Sequence, residues 1–213
     1  MDQKTMLAFR EKFSGKQSER KDEKTADNKK KEKKTAPKEP ETLPIEQQAD
    51  FFNANIELRV AKILKVDNNP EGDKLYIETM DDGTDTPRII QSGLRMYLKP
   101  EDLLGKHVII AANLAPRKMR GVESHGMLLA GDYKDENGKD CVEVLDASWA
   151  APGTKVVLEG ANVNAEKKAE ITADEFFAVS MNAVNGVVQL AGKKLLADGK
   201  EITTTKALNS EIG

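Results

Sequence analysis

The stretch Asn113–Ala130, NLAPRKMRGVESHGMLLA, constrains the fold of this chain more than any other. Upstream lies HVIIAANL (His107–Leu114) and downstream GMLLAGDY (Gly126–Tyr133), two apolar runs of strand length. Such runs, bounded by Pro116 and glycines, read as buried strands. Between them Arg117, Lys118 and Arg120 fall within four residues, beside Gly121. Burying three cations would be costly, so the segment predicts a charged loop held outside two strands of one β core.

The flanking sequence supplies the rest of that core. Ile56, Leu58 and Val60 alternate with polar residues, and Ile63, Leu64 and Val66 then break phase, which predicts a long bent strand with a bulge. LYIETM (Leu75–Met80) and RIIQSGL (Arg88–Leu94) predict two more strands, joined by the turn-rich MDDGTDTP. In LKPEDLLGK, Pro100 takes a first helical position, Glu101 and Asp102 the first turn, and Gly105 follows Leu104, so a short capped helix is expected. The order β-β-β-α-β-β is that of a five-stranded OB-fold barrel, although a small Greek-key or SH3-like barrel shares much of it. CVEVLD (Cys141–Asp146) and KVVLEG (Lys155–Gly160) add further β character around Trp149 and a Pro152-Gly153 turn. Beyond them, NAEKKAEITADEFF predicts a short helix capped by Thr172, and VVQLAGKKLLADGKEITTT more strands. The expected fold class is all-β with short helices: a barrel over residues 51–160 and a small β-rich extension over 161–213.

Residues 1–50 read as a basic, low-complexity tail. Residues 14–50 contain Leu43, Ile45 and a few alanines as their only apolar groups, with KKKEKK at Lys29–Lys34 and three prolines. Such a segment cannot bury enough surface to offset its ordering entropy, and disorder is expected. Ahead of it, Met6, Phe9 and Phe13 sit at helical spacing, so residues 3–13 read either as a docking helix or as a frayed end. The net charge of −3 hides an asymmetry: residues 1–40 carry 13 Lys or Arg against 8 Asp or Glu, and the remainder 20 against 28. A basic tail on an acidic body suits approach to a polyanion; a solvating linker is the other reading. With one cysteine, Cys141, no internal disulfide forms, and no apolar run approaches the ~18 residues of a membrane span. The N-terminal segment lacks the apolar stretch of a signal peptide, so a reducing, cytoplasmic location is expected.

Catalytic signals are absent. There is no phosphate-binding glycine loop and no paired-cysteine spacing, and His107, His125 and Cys141 are scattered soft ligands. Neither enzymatic activity, nor a metal site, nor a cofactor is expected. A basic loop on an OB barrel instead suggests a binding module. Reading single-stranded bases takes several aromatic platforms, each stacked base contributing ~1–3 kcal/mol. Here Tyr76, Tyr97, Tyr133 and Trp149 are the barrel's candidates, which argues for recognition of a folded RNA's backbone and shape over an extended stacking track. From charge alone, a solvated turn with ordinary surface cations fits the loop equally well.

A resemblance separates these readings. NLAPRKMRGVESHGML closely resembles the signature of the EMAP II and Arc1p type of tRNA-binding domain, found also in free-standing tRNA-binding proteins and methionyl-tRNA synthetase extensions. The likeness extends upstream through IELRVAKILKVDNNPEGDKLYIETMDDG and RIIQSGLRMYLKPEDLLGK, so residues 52–160 are covered. NAEKKAEITADEFF and the closing KALNSEIG resemble, less closely, the C-terminal extension of the EMAP II type.

The resemblance implies that Asn113, Lys118, Arg120, Ser124 and Met127 line or shape a tRNA-binding face, with Arg117 adding charge. Ser92 in QSGL sits at a matching strand end, and Arg59, Lys62 and Lys74 are flanking phosphate candidates. Met119 reads as packing, and Gly121 and Gly126 as conformational. The function implied is non-catalytic delivery or retention of tRNA for an aminoacyl-tRNA synthetase, methionyl-tRNA synthetase foremost, in cis or in trans. KMRGVES is only superficially similar to the signal loop of class I synthetases, since no nucleotide-binding domain accompanies it. A protein-docking or cytokine-like module is the alternative; RVAKILK (Arg59–Lys65) is similar to the family's signalling heptapeptide but carries Ala61 where that motif has glycine. A chaperone role, known among small relatives of the barrel, is a third reading. Because the extension resembles a substitute for the second barrel of dimeric relatives, a monomer is expected.

Overall fold

The computed structural model describes residues 42–213. The helix expected over residues 3–13, and the tail as far as residue 41, lie outside the described residues. The barrel is built from β1 (Leu58–Asn68), β2 (Tyr76–Asp81), β3 (Arg88–Ser92), β4 (His107–Ala111) and β7 (Met127–Leu128). Strand β1 pairs antiparallel with β2 and with β4, β2 with β3, and β4 with β7. The ring closes where the His125 N–H donates to the Ile89 carbonyl of β3 at 2.8 Å. The expected bulge is present: the β1–β2 register shifts between Ile63 and Lys65. The expected helix is α2 (Pro100–Leu103), whose Asp102 carboxylate accepts from the Lys99 N–H.

Strand β4 explains the apolar run HVIIAA. Val108, Ile109, Ile110 and Ala111 are all buried because the strand is a wall between two cores. Val108 and Ile110 face the barrel interior with Ala61, Ile63, Tyr76, Met80 and Ile90. Ile109 and Ala111 face a larger core with Leu58, Val60, Val156, Val188 and Leu195. The phase break in β1 has the same origin, Leu58 and Val60 belonging to one core and Ala61 and Ile63 to the other.

The second core is completed from the C-terminal side. Strand β10 (Lys155–Leu158) pairs with β1 through Leu58↔Val156, and β13 (Lys193–Ala197) pairs with β10. The path continues through β12 (Val187–Leu190), β11 (Met181–Val184) and β15 (Asn209–Ile212). It returns to the barrel where Ile212 pairs with Gly131 of β8 (Ala130–Lys134). The single strand expected from GMLLAGDY is thus two: Leu129 breaks it, and β8 pairs with β9 (Asp140–Val144). A carboxylate fastens this junction. Glu143 accepts from the N–H groups of Thr205, Lys206 and Ala207 and from the Thr205 hydroxyl, at 2.7–2.8 Å. Burial pushes its pKa up, but those donors outweigh burial and hold it below the ordinary glutamate value.

One expectation is corrected. Residues 45–50, assigned to the disordered tail, form the first half of helix α1 (Ile45–Asn55). Gln48, Ala49 and Phe52 share its inner face, and Phe52 is fully buried in the larger core. Both ends of the Gln48 amide are used, donating to the Leu43 carbonyl at 2.8 Å and accepting from the Ser180 N–H at 3.1 Å. Lys167 caps the far end, its Nζ donating to the Asn53 carbonyl at 2.6 Å. The helix escapes a hydrophobicity count because its anchor, Phe52, lies past the compositional boundary and a glutamine occupies the other inner position. In the C-terminal segment, α3 (Ala173–Phe176) starts where expected, with the Thr172 hydroxyl accepting from the Glu175 N–H.

Candidate nucleic-acid interface

The basic segment expected as a loop is itself a β-hairpin. β5 (Arg117–Met119) pairs with β6 (Val122–Ser124) through Arg117↔Ser124, Lys118↔Glu123 and Met119↔Val122. That register leaves Arg120 and Gly121 as a two-residue loop, both with positive φ, 43° and 80°. This is the type I′ requirement, for which Asn-Gly is the favoured pair. Arginine in the left-handed region costs on the order of 1 kcal/mol, a strain that points to function at the tip.

A buried glutamine holds the hairpin in place. The Gln91 Nε2 on β3 donates to the carbonyls of Met119 at 2.9 Å and Val122 at 2.8 Å, the two residues flanking the tip. Its Oε1 accepts from Asn69 Nδ2 at 2.6 Å, and Asn69 also donates to the Arg120 carbonyl at 3.3 Å. The Gln91 N–H donates to Ser124 Oγ at 2.9 Å, and that hydroxyl donates to the Gly126 carbonyl at 3.1 Å. The base of the hairpin is fixed by Arg88. Its guanidinium donates to the carbonyls of Ala112 at 2.9 Å and His125 at 2.7 Å, and to Asp82, whose side chain is fully buried, at 2.7–2.8 Å. Burial alone would raise the Asp82 carboxyl, but the Thr84 hydroxyl and the Arg88 and Arg59 guanidiniums hold it below its ordinary value.

The expected site residues divide into two sets. Lys118 and Arg120 are exposed and Arg117 is half-buried, and none of the three forms an ion pair with another described residue. Lys74 is also exposed, on the loop following β1. That loop meets the tip: the Glu71 carboxylate lies where a Cβ on Gly121 would meet it at 3.2 Å, and the Glu71 N–H is held by Asn69 Oδ1 at 2.8 Å. Lys62 is exposed but lies in the first half of β1, paired with Asp81 and His107, roughly 20 Å along the strand from Asn68. Arg59 is engaged internally, 2.7 Å from Glu57 and 3.6 Å from Asp82.

The other four are buried. Asn113 donates to the carbonyls of Asn55 and Lys168 and accepts from the Glu57 N–H, all at 2.7–2.9 Å, so it ties α1, β1 and the C-terminal segment together. Ser124 makes the bonds described above, and Met127 is packed in the larger core. Ser92 turns into the barrel, where its hydroxyl donates to Glu78 Oε1. Glu78 is fully buried, its other oxygen has no partner among the described residues, and burial pushes its carboxyl up to about 7. Gln91, Asn69, Arg88 and Asp82 escaped the sequence reading. A phase signal was available for Glu78, which is polar between Tyr76 and Met80, the buried residues two positions to either side on its strand; Gln91 has none, its same-face neighbour Ile89 being only half-buried.

Among the described residues no group of three or more His, Cys, Asp or Glu is placed to hold a metal ion. No described helix is long and apolar enough to cross a membrane. An OB barrel presenting an anchored, cationic hairpin has the arrangement of a nucleic-acid-binding module.

Comparisons narrow the class. Residues 58–154 match the family model described as "Putative tRNA binding domain". The chain is 43% identical over 230 residues to a methionine--tRNA ligase of Treponema denticola, covering 100% of this chain and 29% of that protein. It is 44% identical over 117 residues to the cytoplasmic tyrosine--tRNA ligase of Xenopus laevis, covering 54% of this chain and 22% of that one. Among solved structures, the C-terminal domain of Plasmodium vivax p43 aligns with TM-score 0.68 and 29% identity, over 75% of this chain and 98% of that domain. The chain belongs to the tRNA-binding domain family, and it spans under a third of the length of the ligases it matches.

Proposed function

We propose that this chain is a non-catalytic tRNA-binding module that retains or delivers tRNA for an aminoacyl-tRNA synthetase, in cis or in trans. The carrying observation is the hairpin tip, where Lys118 and Arg120 stand exposed, without ion-pair partners among the described residues, on a turn that tolerates arginine only at a cost. Arg117 and Lys74 extend the cationic face, whereas Asn113, Ser124, Ser92 and Met127 shape it from beneath. Methionyl-tRNA synthetase is the favoured host, because methionine--tRNA ligases match over 100% and 86% of this chain. The C-terminal segment supports a monomer, since it covers the outer faces of β1 and β4 that a second barrel would otherwise bury; a dimer at micromolar concentration by light scattering would contradict this.

The test is the salt dependence of tRNA binding. Each phosphate neutralised contributes a slope of roughly −0.7 to −0.9 in log K against log salt. The Lys118→Ala, Arg120→Ala double variant should lower that slope by about two contacts and weaken unrelated tRNAs alike. A wild-type curve insensitive to salt, or a loss confined to one tRNA species, would overturn the reading.

A further inference from the structure

The register of the hairpin sorts its side chains onto two faces. Arg117 stands opposite Ser124, Lys118 opposite Glu123 and Met119 opposite Val122. Successive residues of a strand point to opposite sides. Ser124 marks the inner side, since it is buried and its Oγ accepts from the Gln91 N–H at 2.9 Å. Lys118 and Glu123 are therefore on the outer side, and His125, next in phase after Glu123, stands there with them. All three are exposed, His125 with 47% of its side chain open to solvent.

The backbone of His125 is held from both directions. Its N–H donates to the Ile89 carbonyl at 2.8 Å, and its carbonyl accepts from Arg88 at 2.7 Å. The ring is thus presented from a fixed position. The charged groups around it are Glu123 on its own strand, Arg117 and Lys118 on β5, and Arg88 on β3, whose charge is matched by Asp82. Among the described residues only Glu123 comes within ion-pair distance, its Oε2 3.9 Å from the His125 Nε2. The other histidine is placed differently: His107 opens β4, half-buried, with Nδ1 2.7 Å from the Ala150 carbonyl.

A histidine side chain changes charge near neutral pH. Neutral, the His125 ring leaves Glu123 uncompensated beside Lys118, where it opposes an approaching phosphate. Protonated, it balances Glu123 and places a second cation on the outer face. Diagonal neighbours across an antiparallel pair lie about 7–8 Å apart, so Lys118 and the imidazolium can engage the same stretch of RNA backbone. A phosphate and Glu123 both favour the charged ring, so RNA binding and proton uptake reinforce each other.

We propose that His125 is a further contact of the RNA face, engaging a backbone phosphate as the imidazolium beside Lys118. The proposal rests on the tRNA-binding reading above and deepens it, because the grip gains one cation whenever His125 holds a proton. The sign follows: the contribution is present at acidic pH, is lost as pH rises through neutrality and is absent at alkaline pH. In the competing reading His125 serves Glu123 alone, and the pair only adjusts surface charge.

The full chain should be titrated with bulk tRNA at several salt concentrations, at about pH 5.5 and at about pH 8. At the lower pH the slope of log K against log salt should steepen by roughly 0.7–0.9, and affinity at about 100 mM salt should rise roughly two- to fivefold. His125→Gln should bind at both pH values as wild type does at pH 8, and His125→Lys should keep the steeper slope at both. His107→Gln should retain the wild-type difference. Glu78 is present in every one of these proteins, so its titration cancels in the comparison. Glu123→Gln removes a repulsive charge and should bind more tightly at both pH values with the difference intact; its disappearance there would favour the competing reading and overturn the contact. A pH-dependent slope that persists in His125→Gln overturns it as well. If wild type binds tRNA with one slope at both pH values, the His125 contact fails and the tRNA reading stands. Absence of tRNA binding by the wild-type chain at either pH removes the reading beneath it.

Discussion

Arg120→Asn should make the protein more stable and a poorer RNA binder at once. Arg120 sits at φ 43° in a two-residue hairpin loop, followed by Gly121 at φ 80°. Asparagine enters that region more readily than arginine, so relieving the strain should contribute about 0.5–1 kcal/mol. For a domain of this size that raises Tm by about 1–4 °C. The contact from Asn69 to the residue-120 carbonyl is to backbone and survives the substitution. On the RNA side, one phosphate contact is removed, so the slope of log K against log salt should fall by roughly 0.7–0.9. Between 50 and 200 mM salt, the wild-type advantage should then shrink by about threefold. Thermal melts followed by circular dichroism and tRNA titrations at several salt concentrations read both quantities. A lower Tm for Arg120→Asn would refute the strain argument, and an unchanged salt slope would refute the phosphate contact.

Two further substitutions probe what lies under the hairpin. Gln91→Leu removes the donors to the Met119 and Val122 carbonyls and the acceptor for Asn69, and should cost roughly 2–4 kcal/mol in urea unfolding. It should also weaken tRNA binding by the variant that remains folded, although every cation is retained, and undiminished affinity would contradict the anchoring role. Glu78→Gln should flatten the pH dependence of stability. Burial raises the Glu78 carboxyl from 4.5 to about 7, so the folded chain holds this proton more tightly than the unfolded one. Its contribution is fully present below pH 4.5, is lost as pH rises to about 7 and is flat above, and Gln should be the more stable residue at pH 8. Superimposable pH profiles for the two proteins would show that Glu78 does not titrate as its burial requires.

Much of the fold was legible because its punctuation is strong. The apolar wall HVIIAA, the phase break at Ile63 and the Pro100 helix start are local signals with one structural solution each, and the structure has all three. What escaped was decided by partners distant in sequence. Helix α1 depends on Ser180, Ala178 and Lys167, more than 100 residues away, and its own buried Gln48 looks solvated when read alone. The break of the fifth strand at Leu129 likewise depends on the C-terminal segment. Strand β8 pairs with β9 and with Ile212, a choice that no feature of GMLLAGDY announces.

At the site, chemistry type was legible and side-chain direction was not. A family motif groups residues that touch the ligand with residues that hold those residues still, and the one-dimensional pattern treats both alike. Hydrogen-bond capacity separates them. Asn113 has two donations and one acceptance satisfied by backbone, and Ser92 and Ser124 direct their hydroxyls inward, so little capacity is left to offer a phosphate. Lys118 and Arg120 have theirs uncommitted to any described carboxylate. Gln91 shows the converse: absent from the expected set, it nevertheless fixes both residues flanking the tip, because a buried amide can donate to two carbonyls and accept at its oxygen simultaneously. A strained turn is held only where the surroundings over-determine it. The Gln91 and Asn69 clamp is that surrounding, so the cost of an arginine at φ 43° and the cost of burying a fully bonded glutamine serve one end, the rigid presentation of two cations.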